Sequence, residues 1–84
     1  MRIYMKKEKQ ELQLQSVICN QCGKELVVED GIVKEGCFHT EYEFDYFSHK
    51  DGYIYSFDLC ELCFDEWIEG FQNPVRVTET KEFL

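Results

Sequence analysis

With 84 residues, 17 acidic against 9 basic side chains and a formal charge of −8, the chain is long enough for one domain and too acidic to attract phosphate backbones. A core of this size leaves a fold marginal unless a staple supports it. No apolar run reaches the roughly 18 residues that a membrane-spanning helix needs, and Met1 to Gln15 has no signal-peptide core, so no membrane partner and a cytoplasmic location are expected.

The chain starts with a charged stretch, Lys6-Lys7-Glu8-Lys9, and continues into an alternation at Leu12 and Leu14. Residues 1–16 are therefore expected to form an N-terminal extension, part frayed and part short strand, ahead of a single metal-binding domain over 17–84. From Val17 to Val28 an apolar pair leads into Cys19-Asn20-Gln21-Cys22-Gly23-Lys24 and out through Glu25-Leu26-Val27-Val28. This pattern predicts a metal knuckle at the tip of a loose hairpin, with Gly23 taking a positive φ that turns backbone N–H groups toward the sulfurs. Asp30-Gly31 marks a turn, and Ile32-Val33, Gly36 and Cys37 follow.

Residues 40–47 read Thr-Glu-Tyr-Glu-Phe-Asp-Tyr-Phe, a period of two that predicts a half-buried strand. Tyr42, Phe44 and Tyr46 would face the core, and Glu41, Glu43 and Asp45 the solvent. A five-residue turn, Ser48 to Gly52, leads into a partner strand with Tyr53, Tyr55, Phe57 and Leu59 in the same alternation. From Cys60 to Phe71 the spacing becomes helical, with Phe64, Trp67, Ile68 and Phe71 on one stripe that Cys60 and Cys63 extend into the first turn. Asp58 is expected to cap this helix, Asn73-Pro74 to end it, and Val75 to Glu79 to add an edge strand.

The two Cys-x-x-Cys pairs, Cys19/Cys22 and Cys60/Cys63, carry the chemistry. Two intervening residues let both sulfurs of a pair reach one ion from a single turn, and two such turns complete a tetrahedron. One tetrathiolate Zn²⁺ per chain is expected, with iron as the alternative; four thiolates around a divalent ion take the formal charge to about −10. With every coordination position filled by protein, no site remains for water or substrate, which points to structure and away from an enzyme. A redox-active pair would need a βαβ context that neither pair has.

Knuckle, hairpin and a helix bearing the last two ligands is the order of parts in treble-clef zinc fingers, which the chain resembles from residue 17 to residue 71. Cys19-Asn20-Gln21-Cys22-Gly23-Lys24 and Asp58-Leu59-Cys60-Glu61-Leu62-Cys63-Phe64 carry that resemblance. Together with Tyr46-Phe47-Ser48 and Asp51-Gly52, the phrase Phe57 to Cys63 is also similar to a group of small bacterial zinc-binding proteins. The resemblance implies a zinc-stabilised α+β domain and no particular activity. Rubredoxins share two such knuckles, yet in them both pairs are followed by glycine, whereas here Cys63 leads into Phe64-Asp65-Glu66-Trp67.

Other residues have weaker claims. Cys37 and His39 form a Cys-x-His element able to donate a ligand, although packing for Cys37 and a strand edge for His39 are the expected roles. Glu41, Glu43 and Asp45 form an acidic row that reads as a solvated face, or as a recognition stripe for a basic protein partner, mimicking a nucleic acid. Phe47, Ile54 and Tyr4 fall off the main stripes and would leave an apolar patch for partner docking or a homodimer. The function expected from all this is a small structural zinc-binding protein serving as a protein-interaction or regulatory module. An iron electron carrier is the alternative, as is a nucleic-acid-binding finger using Arg2, Lys6, Lys7, Lys9 and Lys24.

Overall fold

The apolar residues that flank the first cysteine pair build a sheet that reaches back to the start of the chain. In the computed structural model, which describes residues 1–6 and 12–80, strand β1 (Arg2–Lys6) pairs antiparallel with β2 (Leu12–Ile18), and β3 (Glu25–Leu26) pairs with the other side of β2. The expected boundary between residues 16 and 17 falls inside β2, where Ser16 pairs with Ile3, and Val17 lies between Arg2 and Leu26. Val17 is fully buried because it sits on the central strand. A register shift opposite Ile3 and Tyr4, which pair with Ser16 and Leu14, leaves Gln15 of β2 as the extra residue of a bulge. The charged stretch expected to fray lies mostly outside the described residues.

A two-stranded ribbon follows, β4 (Val28–Glu29) with β5 (Ile32–Val33), joined by Asp30 at φ 52° and Gly31 at φ 77°. Two consecutive positive φ values are what a two-residue type I′ hairpin turn requires, and Asp-Gly satisfies them.

The longest hairpin pairs β6 (Cys37–Glu43) with β7 (Ile54–Cys60) in unbroken register, from Cys37 opposite Cys60 to Glu43 opposite Ile54. The strand expected over 40–47 is displaced: it starts earlier, at Cys37, and stops at Glu43. The five-residue turn becomes a longer loop, in which Asp45 Oδ1 accepts from Phe47 N (3.4 Å) and Ser48 Oγ from Lys50 N (3.0 Å). Such local side-chain bonds compete with a strand ladder and end it. Tyr46, expected to face the core, consequently leaves the sheet and stands 78% exposed, and Phe47, expected off the stripe, is 93% exposed.

Alternation along the hairpin sorts its two faces as the sequence suggests. Phe38, Thr40 and Tyr42 lie on one face with Leu59, Phe57 and Tyr55; Cys37, His39, Glu41 and Glu43 lie on the other with Cys60, Asp58, Ser56 and Ile54. Burial, however, runs along the strands. Asp58, Leu59 and Cys60 at the base are buried, while Tyr42, Ile54 and Tyr55 toward the tip are exposed, because the rest of the protein packs only on the base.

Helix α1 (Glu61–Glu69) starts from Cys60, whose extended backbone makes it the N-cap with no side-chain capping bond. Phe64 stacks on Phe38 at 4.9 Å between ring centroids, and Trp67 meets Phe57 edge-on at 5.9 Å, closing the helix over the base of the hairpin. The helix ends at Gly70, ahead of Asn73-Pro74, as the Gly70 and Phe71 N–H groups reach back to Trp67 and Ile68 carbonyls. The edge strand expected over Val75 to Glu79 does not form; its alternation finds no strand to pair with, and Val77 is 86% exposed.

Asp58, expected as the helix cap, is instead the side chain with the most hydrogen-bond partners among the described residues. Only 2% exposed, it accepts hydrogen bonds from the Met1 amino group (2.9 Å), Arg2 Nε (2.9 Å) and His39 Nδ1 (2.8 Å). Its backbone is clasped by Asn20, whose N–H donates to the Asp58 carbonyl (2.8 Å) and whose Oδ1 accepts from Asp58 N–H (2.9 Å). Burial pushes the carboxyl up, but the hydrogen bonds from the Met1 amine, Arg2 and His39 outweigh it and hold its pKa below the ordinary range. A depressed folded-state pKa means that this stabilisation is present above the unfolded carboxyl's pKa and is lost only as pH falls through the folded value. Asp58→Asn is expected to lower the urea-unfolding stability of the metal-loaded protein by about 2 kcal/mol at neutral pH, a loss that shrinks as pH falls through the carboxylate range.

Candidate metal centre

Each sulfur is placed by a local backbone reason. The turn between β2 and β3 folds back on itself, Cys19 N–H bonding the Lys24 carbonyl (2.8 Å) and Gly23 N–H the Cys19 carbonyl (2.9 Å). Gly23 sits at φ 82°, a left-handed conformation that a side chain would strain. Within this turn Cys22 N–H points at Cys19 Sγ (3.4 Å). On the opposite side, Cys60 closes β7 and caps α1, and Cys63 occupies the first helical turn.

The four Sγ atoms of Cys19, Cys22, Cys60 and Cys63 all lie within 4.8 Å of one another, and Cys22 and Cys60 are 3.8 Å apart. A tetrahedral ion with metal–sulfur bonds of about 2.3 Å requires sulfurs about 3.8 Å apart. Four sulfurs so gathered could hold a metal ion, and the chemistry of an all-thiolate set suits zinc or iron. Cys19, Cys60 and Cys63 are buried, whereas Cys22 forms an exposed corner.

The electrostatics of the cluster favour a cation. Burial raises the Cys19 pKa, yet backbone hydrogen bonds from Cys22, Cys60 and Gln21 overcome it and bring the thiol down to about 6. Cys63 is driven strongly upward, first by burial and then by the neighbouring thiols of Cys60, Cys19 and Cys22. A lowered Cys19 and a raised Cys63 within one crowded set of thiols form a pattern that a positive ion would compensate. Beside Cys22, Lys24 pairs with Glu35 at 2.9 Å, and Glu35 also accepts from Val27 N–H at 2.6 Å, bracing the knuckle against the segment leading into β6.

The remaining candidates lie elsewhere. Cys37 Sγ is 3.8 Å from Asp58 Oδ1, its pKa raised by burial and then by the carboxylate's charge, and with His39 it belongs to the Asp58 cluster instead of the sulfur cluster. Glu41, Glu43 and Asp45 are exposed and do not form one row: Glu41 and Glu43 share a face of β6, while Asp45 belongs to the loop. Arg2 is tied to Asp58, and Lys24 to Glu35. The connecting role of Asp58 was hidden from sequence reasoning because its partners Met1 and Arg2 stand 57 and 56 residues away.

Comparison of the chain with protein-family models, with curated proteins and with solved structures finds no match. Among the described residues, no helix is long and apolar enough to cross a membrane.

Metal removal by a strong chelator is expected to withdraw stabilisation on the order of 10 kcal/mol, abolishing the near-UV circular dichroism of the Trp67 aromatic cluster together with the far-UV signal. Cys60→Ser, at a buried position, should reduce metal content measured by elemental analysis more than Cys22→Ser at the exposed corner.

Proposed function

We propose that the protein is a small zinc module of treble-clef type, non-enzymatic and cytoplasmic, that serves as a scaffold for contacts with another protein. The observation that carries this reading is the gathering of four cysteine sulfurs within 4.8 Å, which offers a metal four protein ligands and no position for water or substrate. The order of knuckle, hairpin and helix supports the treble-clef assignment. Zinc is favoured over iron by the second pair, which opens a helix where the rubredoxin pattern has a glycine-followed knuckle. A nucleic-acid role is disfavoured by the net charge and by the engagement of Arg2 and Lys24 with carboxylates.

Elemental analysis and a visible spectrum of protein purified without added metal test the reading. One colourless equivalent of zinc per chain is the expected result. One equivalent of iron with thiolate absorption would replace it with electron transfer, and a metal-free folded protein would remove the scaffold altogether.

A further inference from the structure

The β6–β7 ribbon has two edges, and they are not equivalent. On the β7 side the knuckle is already docked, through the paired Asn20 and Asp58 hydrogen bonds. On the β6 side no strand is paired among the described residues, which leaves the outward-facing backbone groups of a seven-residue strand without a ladder. Proteins ordinarily blunt such edges with proline, a bulge or charged side chains, lysine above all. The exposed edge at β1 ends in a lysine, Lys6, and its ladder is broken between Ile3 and Tyr4 by a bulge in the neighbouring β2. Strand β6 has neither: its register with β7 is continuous and Cys37 to Glu43 includes no proline, lysine or glycine, so the charges along it are acidic, Glu41 and Glu43, with His39 Nε2 3.6 Å from Glu41.

What β6 does carry is acid on one face and aromatics on the other. Glu41 and Glu43 project from the face that Ile54 shares, and Tyr42 projects from the opposite face toward a ring cluster with Phe44 (5.0 Å), itself 5.5 Å from Tyr55. A cation already sits on that cluster, Lys50 Nζ lying 5.2 Å from the Phe44 ring centre. At the base of β6, a cavity of about 280 Å³ is lined by Gly36, Cys37, Phe38, Glu61, Phe64 and Asp65. A second copy of β6 placed against this edge would set Glu41 and Glu43 beside like charges, which is destabilising. A strand with basic residues at alternate positions would meet them with opposite charge, and its intervening apolar residues would fall on the aromatic face.

We propose that the free edge of β6 is a docking site for an extended segment of a partner protein in which basic and apolar residues alternate, added as a third strand to the β6–β7 ribbon. This deepens the proposed function and rests on it, since the metal-pinned base holds the ribbon in place. Backbone hydrogen bonds supply the register, the acid face selects the charge, and the aromatic face receives the apolar side chains.

The test uses the metal-loaded full chain and an acetylated Arg-Val repeat as long as β6, with three controls: a Glu-Val repeat, the Arg-Val peptide N-methylated at alternate backbone nitrogens, and vesicles of zwitterionic lipid. Amide chemical shifts and hydrogen exchange are read in solution, with metal content measured on each sample. The Arg-Val peptide is expected to shift and protect the amides of residues 38–43. Glu41→Gln/Glu43→Gln should weaken it about tenfold, and N-methylation should abolish the protection. Equal binding of the N-methylated or Glu-Val peptide, vesicle binding through the aromatic face in place of the peptide, or a response elsewhere in the chain would overturn the proposal. Concentration-dependent protection of residues 38–43 without peptide would also overturn it, in favour of a second copy. Full metal occupancy with no response at 38–43 refutes the docking site alone, whereas loss of metal in a folded chain refutes the scaffold reading.

Discussion

Convergence of four sulfurs between the knuckle and the start of α1 is the constraint on which the rest of the structure depends. Among the described residues, six apolar ones make up the buried core, Val17, Cys19, Leu26, Leu59, Cys60 and Cys63, and three of them belong to the sulfur cluster. Hydrophobic burial alone is small in such a core, and the cluster joins the β1–β2–β3 sheet to the β6–β7 hairpin across a long connection. The interior of this protein is therefore organised around polarizable, ionisable atoms whose charges favour a bound cation, and the aromatic cluster of Phe38, Phe57, Phe64 and Trp67 packs outward from it.

Beside the sulfurs lies a second node of opposite character. Asp58 and Cys60 point to the same face of β7, so one short stretch of strand supplies both a buried carboxylate and a buried thiol. Asn20, between the cysteines of the knuckle, clasps the backbone of Asp58, and the carboxylate in turn draws in Met1, Arg2 and His39. The metal centre and the carboxylate cluster thereby brace the same junction from adjacent positions. This charge network adds to the ladder with β2 in holding the start of β1 on the sheet.

Away from that junction, burial fades quickly. The hairpin extends from a base packed by α1 and the knuckle to a tip where Tyr46 and Phe47 are almost fully solvated. An acidic chain that displays aromatics on an unpaired strand presents contact area, directional backbone groups and a charge preference together, the ingredients that interfaces use for anchoring and selectivity.

The sequence by itself determined the chemistry and the local geometry. Cysteine spacing located the sulfur cluster, Asp30-Gly31 and Gly23 located two turns through their positive φ values, and the periods of β6–β7 and α1 separated strand from helix. These features are legible because each depends on residues a few positions apart. Tertiary structure alone decided which half of each pattern is buried. The alternation of Tyr42 and Tyr55 is the same as that of Phe38 and Leu59, but only the latter pair lies where α1 and the knuckle exclude water. Likewise Asp58 has the local signature of a helix cap and became a buried anchor because β1, from the far end of the chain, brings an amine and a guanidinium to it. Contacts between residues more than fifty positions apart leave no periodicity in the sequence, and they settle where charge is compensated and where surface is left open.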